Sequence, residues 1–187
     1  MMDAFSYLSI LLSIILGLAI TQVLQGYRAL LLARGRVKLS APVLIWSVLI
    51  LLFAAQAWWA SFDLRERTHW DFLSFAVILL QMVLLYMLAA LVFPDIEPGG
   101  SLDLAEHSGK YRRAFYGFLI AMLVTSVAKT LITAHRLPSP ANLGFHLLLM
   151  TFAIAGIFGK SHRLQVAIAL GAAIAFLAYV ALLFANL

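Results

Sequence analysis

The sequence predicts an all-α polytopic membrane protein with six transmembrane helices in a single bundle. Three observations predict it. Hydrophobic residues make up 64% of the 187 positions and charged residues only 11%, whereas a soluble domain is roughly 45–50% apolar and about 25% charged. Six separate stretches are long and apolar enough to cross the roughly 30 Å of bilayer hydrocarbon, which takes about 20 residues of helix. The connections between them are too short to fold as a soluble domain, so residues 1–187 read as one transmembrane domain.

Span one covers about residues 5–25, with helix expected to continue to Ala33, where Arg34-Gly35 breaks it. Span two, 41–62, opens at Ser40-Ala41-Pro42, a capping residue followed by proline in the first turn. Span three, 71–93, stops at Pro94. Span four, 115–134, follows the one longer connection, Pro94–Arg113, which reads as a cytoplasmic loop carrying Pro94, Pro98, Gly99 and Gly100. Ser139-Pro140 opens span five, 140–159, and span six covers 164–184. Short connections make consecutive helices antiparallel neighbours. The N-terminal apolar run reads as a first span and not as a cleavable signal, because Met1-Met2-Asp3 offers no basic n-region.

Basic residues set the expected orientation. The first, third and fifth connections with their flanks hold nine Lys and Arg, and the second and fourth hold three. Both termini are therefore expected outside the cytoplasm. Trp58, Trp59, Trp70 and Trp46 fall near span ends, as an interfacial aromatic belt requires. The formal charge of +5 fits basic loops at a membrane better than nucleic acid, and no nucleic-acid partner is expected. The absence of cysteine excludes disulfides and thiolate metal sites.

Spans one and four share a short pattern, Ile20-Thr21-Gln22-Val23-Leu24-Gln25 against Val124-Thr125-Ser126-Val127-Ala128-Lys129. Two inverted three-helix repeats, as in many transporters, and coincidence in a reduced apolar alphabet both account for it.

Polar groups inside a membrane mark packing or function, because hydrocarbon offers them no partner. On span four, Thr125, Ser126, Lys129, Thr130 and Thr133 share one helical sector. Gly17, Thr21, Gln22, Gln25 and Arg28 form a similar stripe on span one. Gln56, Gln81 and His146 stand alone on spans two, three and five. These residues are the candidates for a permeation path or polar pocket, and hydrogen-bonded helix packing is the competing reading. Lys129, the one charge well inside a span, has three readings: snorkelling outward beside His135 and Arg136, pairing with Asp63 or Asp71, or lining a polar cavity.

No Asp or Glu lies deep in a span, which argues against proton or sodium coupling through a buried carboxylate. The histidines form no HxxH or HxxxH pair, so no metal and no cofactor are predicted. Ser126 with His146 is a candidate pair without a third group or a glycine-flanked nucleophile turn, and no enzyme is predicted.

The stretches Phe5-Ser6-Tyr7-Leu8-Ser9-Ile10, Ala57-Trp58-Trp59-Ala60-Ser61-Phe62 and Leu85-Tyr86-Met87-Leu88-Ala89-Ala90 resemble those of small, uncharacterised bacterial integral membrane proteins. The resemblance implies a bacterial inner membrane and carries no activity. The leading expectation is a homo-oligomeric channel or facilitator. A non-catalytic accessory or assembly subunit of a larger membrane complex is the alternative, and no other protein partner is specified. Small residues Ala167, Gly171, Ala175 and Ala178 on span six offer a close-packing face, either within one subunit or between copies.

Overall fold

A computed structural model of the chain describes residues 4–33, 35–66, 70–95 and 102–184. Arg34, Arg67, Glu97, Pro98, Gly99 and Gly100, together with the terminal segments, lie outside the described residues, as does the side chain of Asp63. The chain forms six helices, each long and apolar enough to span a membrane: α1 Ala4–Leu32, α2 Ala41–Ala60, α3 Phe72–Val92, α4 Leu104–Ala134, α5 Pro140–Phe158 and α6 His162–Phe184. A short 3₁₀ helix, Ser61–Glu66, follows α2.

Local sequence explains most of the helix ends. Asp71 accepts from Ser74 N at 2.6 Å to start α3, and Ser139 accepts from Asn142 N at 3.3 Å to start α5, whose first residue is Pro140. Such caps satisfy amides that a helix start leaves open. Helix α4 ends on His135 in the left-handed region (φ 50°), whose amide bonds back to Leu131 O at 3.1 Å.

Two expectations are corrected here. The segment before span four is not a loop throughout, because α4 begins at Leu104 and carries more than two turns of polar helix beyond the apolar stretch. Asp103 caps it, accepting from Ala105 N at 2.9 Å and Glu106 N at 3.1 Å. Asp103-Leu104-Ala105-Glu106 has capping-box spacing, which overrides the low hydropathy of the polar turns after it. Before that cap, Leu102–Asp103 (β2) pairs in parallel with Val37–Lys38 (β1), and Lys38 Nζ lies 3.4 Å from Asp103 Oδ2. The second correction concerns Trp46, which is only 4% exposed and stacks edge-on against Phe115 and Tyr116. It belongs to the interior and not to the belt, whereas Trp58 and Trp59 are exposed as a belt requires.

The helices pack in a ring: α1 on α3, α3 on α4, α4 on α5, α5 on α6, α6 on α2 and α2 back on α1. Helix α2 also touches α3 across the ring. The extensive α1–α3 contact has no counterpart of like extent between α4 and α6, so the two halves do not pack alike. Leu16, Leu49, Ile50, Leu88 and Leu119 fill the middle of the ring and are almost fully buried. Lipid is as apolar as leucine, so close packing rather than hydrophobic transfer holds such helices together. Two glycines show it: a Cβ on Gly26 would strike the Phe93 ring, and one on Gly156 would strike the Tyr116 ring. Gly171 packs the same way, with Phe152 of α5 lying over it within this subunit. Ala167 and Ala178, from the same expected face, are exposed.

Hereafter the basic end is the one carrying the α1–α2, α3–α4 and α5–α6 connections, and the other is the opposite end.

Candidate functional site

The ring is not filled along its whole depth. A cavity of about 730 Å³ enters from the opposite end, between the 3₁₀ helix and the α4–α5 turn. All six helices contribute to its wall. Ala60, Ser61, Leu64, Arg136, Leu137 and Ser139 stand around the mouth, and Leu12, Ile78, Met82, Leu85, Leu123 and Leu149 line the deeper part. One turn further in, Leu88 and Leu119 are fully buried, so the cavity ends on an apolar floor.

Between mouth and floor lies a belt of polar side chains. Helix α4 supplies Ser126, Lys129, Thr130 and Thr133, α2 supplies Gln56, α3 supplies Gln81, α5 supplies Asn142 and His146, and α6 supplies Tyr179. On α4 the placement follows from helical repeat: steps of three and four keep the polar residues on one face. Thr130 and Thr133 turn their hydroxyls back onto the carbonyls of Ser126 and Lys129, at 3.3 and 2.8 Å. That local bonding satisfies the hydroxyl protons without a partner helix.

Ser126 and His146, twenty residues apart in sequence, meet across the cavity. His146 Nδ1 lies 2.8 Å from the carbonyl of Asn142, one turn earlier on α5. A carbonyl only accepts, so Nδ1 carries the proton, and Nε2 accepts from the Ser126 hydroxyl at 3.0 Å. Lys129 stands one turn from Ser126 and is half-buried. Lys129 also has an interaction of its own and is not a free charge. Gln56 and Tyr179 both line the cavity. Two carboxamide oxygens in the wall, Gln81 Oε1 and Asn142 Oδ1, are buried and accept no hydrogen bond. A buried acceptor left so costs about 1–3 kcal/mol.

Of the residues singled out in the sequence, Lys129, Ser126, Thr130, Thr133, His146, Gln56 and Gln81 come together in this one cavity. Three do not. Thr125 is buried on another face of α4 and does not line the cavity. Gln22 turns to α3, where its amide donates to Tyr86 Oη at 3.3 Å. Gln25 is exposed, as are Gly17, Thr21 and Arg28, so the polar stripe of α1 faces outward and not into the ring. The buried face of α1 is instead Leu8, Leu12, Leu16, Ala19 and Val23.

No protein-family model, curated protein or solved structure matches this chain. The site is therefore read from its own geometry.

Two lining residues escaped the sequence reading, Asn142 and Tyr179. Asn142 had a signal, since it lies one turn before His146 on the same face of α5. Tyr179 had none, because a tyrosine near a span end reads as a belt residue. Among the described residues no three His, Asp or Glu side chains group as a metal site needs. The chemistry the cavity offers is hydrogen bonding and positive charge. Its described wall carries Lys129 and Arg136 and no carboxylate.

Proposed function

We propose that the protein is a small-solute facilitator of the membrane, and that the cavity is its solute site, open toward the opposite end. The solute class is small, polar, and neutral or anionic. One observation carries the reading: polar side chains from five helices converge on a cavity whose wall holds two buried acceptors, Gln81 Oε1 and Asn142 Oδ1, that the protein leaves unmatched. A hydrogen-bond donor on the solute matches them, and Arg136 at the mouth favours a negative or electron-rich partner. Ser126 and His146 serve as donor and acceptor in this reading and not as nucleophile and base. The apolar floor means that passage requires the ring to rearrange, as in alternating access.

Homo-oligomeric assembly belongs to the same proposal. Its support is the exposed face of α1, where Ser13, Gly17, Thr21 and Gln25 recur every four residues, followed by Arg28. Small and polar residues at that spacing let helices approach closely, and a partner helix satisfies groups that lipid does not.

Reconstitution in liposomes tests the function. Lys129→Met keeps most of the side-chain length and removes the charge, and Gln81→Leu removes an acceptor. Each should lower solute flux about tenfold or more, since a lost hydrogen bond to a charged or buried group is worth about 1.5–3 kcal/mol, and Gln81→Leu, which breaks no bond within the protein, should do so with thermal stability unchanged. Unchanged flux in both variants, or no flux of any small polar solute in the wild type, sinks the facilitator reading. In that case co-purification with a fixed partner would point to the accessory-subunit alternative. For assembly, the mass of the detergent-solubilised particle should fall for Gly17→Leu, and an unchanged mass removes α1 as the interface.

A further inference from the structure

A second, smaller pocket lies at the basic end, separated from the cavity by the filled middle of the ring. Its volume is about 240 Å³, below the roughly 300–1,000 Å³ of sites for drug-sized ligands. Its wall is built by α2, α3, α4 and the α5–α6 turn. Trp46, Phe115 and Tyr116 form a mutually edge-on cluster on one side. On the other, Gln165 fixes the α5–α6 turn: it accepts from Tyr116 Oη at 2.7 Å and donates to the carbonyls of Gly156 and Gly159 at 3.1 and 2.7 Å. That turn carries Lys160 to the pocket, and α6 starts there with His162. Arg112 reaches the same pocket from α4 and is anchored through Nε on Ile157 O at 3.4 Å. A guanidinium has five N–H donors, and this contact uses one.

Three further observations identify the ligand chemistry. Among the described lining residues there is no carboxylate, so Arg112 and Lys160 are unopposed within the pocket. The pocket also takes in the N-terminus of α2, whose open amides carry partial positive charge. Independently of both, Ser40, in the capping position of α2, does not cap its helix. The residue lines the pocket, is only 2% exposed, and its Oγ is buried without a hydrogen-bond partner. A buried hydroxyl that neglects its own helix is a donor left for something else.

We propose that this pocket binds a phosphate group, with Arg112 and Lys160 neutralising it and the Ser40 hydroxyl donating to it from within. The volume accommodates a phosphate with a short glycerol stem. The group belongs either to the headgroup of an acidic lipid, since the pocket lies at a helix-end depth, or to a free phosphate anion. No residue of the cavity takes part, so the pocket stands independently of the proposed function.

The experiment uses full-length protein in a neutral detergent. Native mass spectrometry titrates phosphatidylglycerol against phosphatidylcholine, and thermal unfolding is followed with added inorganic phosphate. Saturable binding of one phosphatidylglycerol per chain in preference to phosphatidylcholine assigns the lipid source. Stabilisation by inorganic phosphate that saturates assigns the free anion. In either case Arg112→Gln with Lys160→Gln should weaken binding about tenfold or more, and Lys110→Gln with Arg113→Gln, on the same helix but outside the pocket, should not. Ser40→Ala guards against a variant that merely misfolds. It removes a hydroxyl bonded to nothing, so the unliganded melting temperature should hold or rise while the ligand-dependent increase shrinks. Three results overturn the proposal: no saturable binding of either probe, equal loss in the Lys110/Arg113 control, or an undiminished ligand-dependent increase in Ser40→Ala.

Discussion

At position 156 a hydrogen atom stands where any other residue would put carbon, and the Tyr116 ring occupies the space. Gly156→Ala should therefore destabilise the protein by about 1–3 kcal/mol, the usual cost of overpacking, read as a lower melting temperature in detergent. The neighbouring bond from Tyr116 to Gln165 depends on the same contact, so this change should also loosen the α5–α6 turn. Ser126→Ala is milder. It takes one hydrogen bond from His146 and leaves Nε2 facing a polar cavity, at a cost of about 0.5–1.5 kcal/mol. A melting-temperature loss far beyond this would mean that the pair holds α4 to α5. The individual polar residues were legible in the sequence because each stands out against hydrocarbon. Their partners were not. Ser126 and His146 could be named as a candidate pair, whereas Tyr116 with Gln165 and Tyr27 with Ser47, at 2.7 Å, join residues whose spacing says nothing of contact.

Among the elements, α4 shows where a sequence reading by hydropathy stops short. Its apolar portion was evident and its polar first turns were not, although Asp103 and Glu106 stand at capping-box spacing. The bonds that Asp103 accepts, first from the Glu106 amide, hold its carboxyl below the ordinary carboxylate range, with Lys38 assisting. A folded value below the unfolded one makes the cap fully present above the ordinary carboxylate range, and it is lost as pH falls through the depressed value. The protection of amides in the first turn of α4, measured against their intrinsic exchange at each pH, should fall over that acid window, and Asp103→Ala should show the lower protection already at neutral pH. An acid-insensitive first turn in the wild type would contradict the cap's role. The starts of α2, α3 and α5 are marked chemically by Pro42, Asp71 and Ser139-Pro140. Rotation about the helix axis is not. Polarity alone placed the α1 stripe inside and Trp46 at the belt, but which side of a helix faces the ring is decided by all its neighbours together.

For the molecule as a whole, the ring opens into its larger cavity at one end and is filled across its middle. The chain has no cysteine, so introduced thiols report without background. Thr130→Cys should react with a membrane-impermeant thiol reagent applied from one side only, and Leu88→Cys should resist it from both. Labelling at Leu88 would mean that the floor is not closed. The same asymmetry carries to the parallel pairing of Val37–Lys38 with Leu102–Asp103. Those strands are separated in the chain by α2 and α3, so the second does not exist as a partner until three helices have been synthesised. Early in biogenesis the α1–α2 connection therefore waits at the membrane surface with its backbone hydrogen bonds owed to water. Arrival of Asp103 closes that connection and caps α4 in one event, which sets an order of assembly: the first three helices are laid down before the fourth is fastened to them.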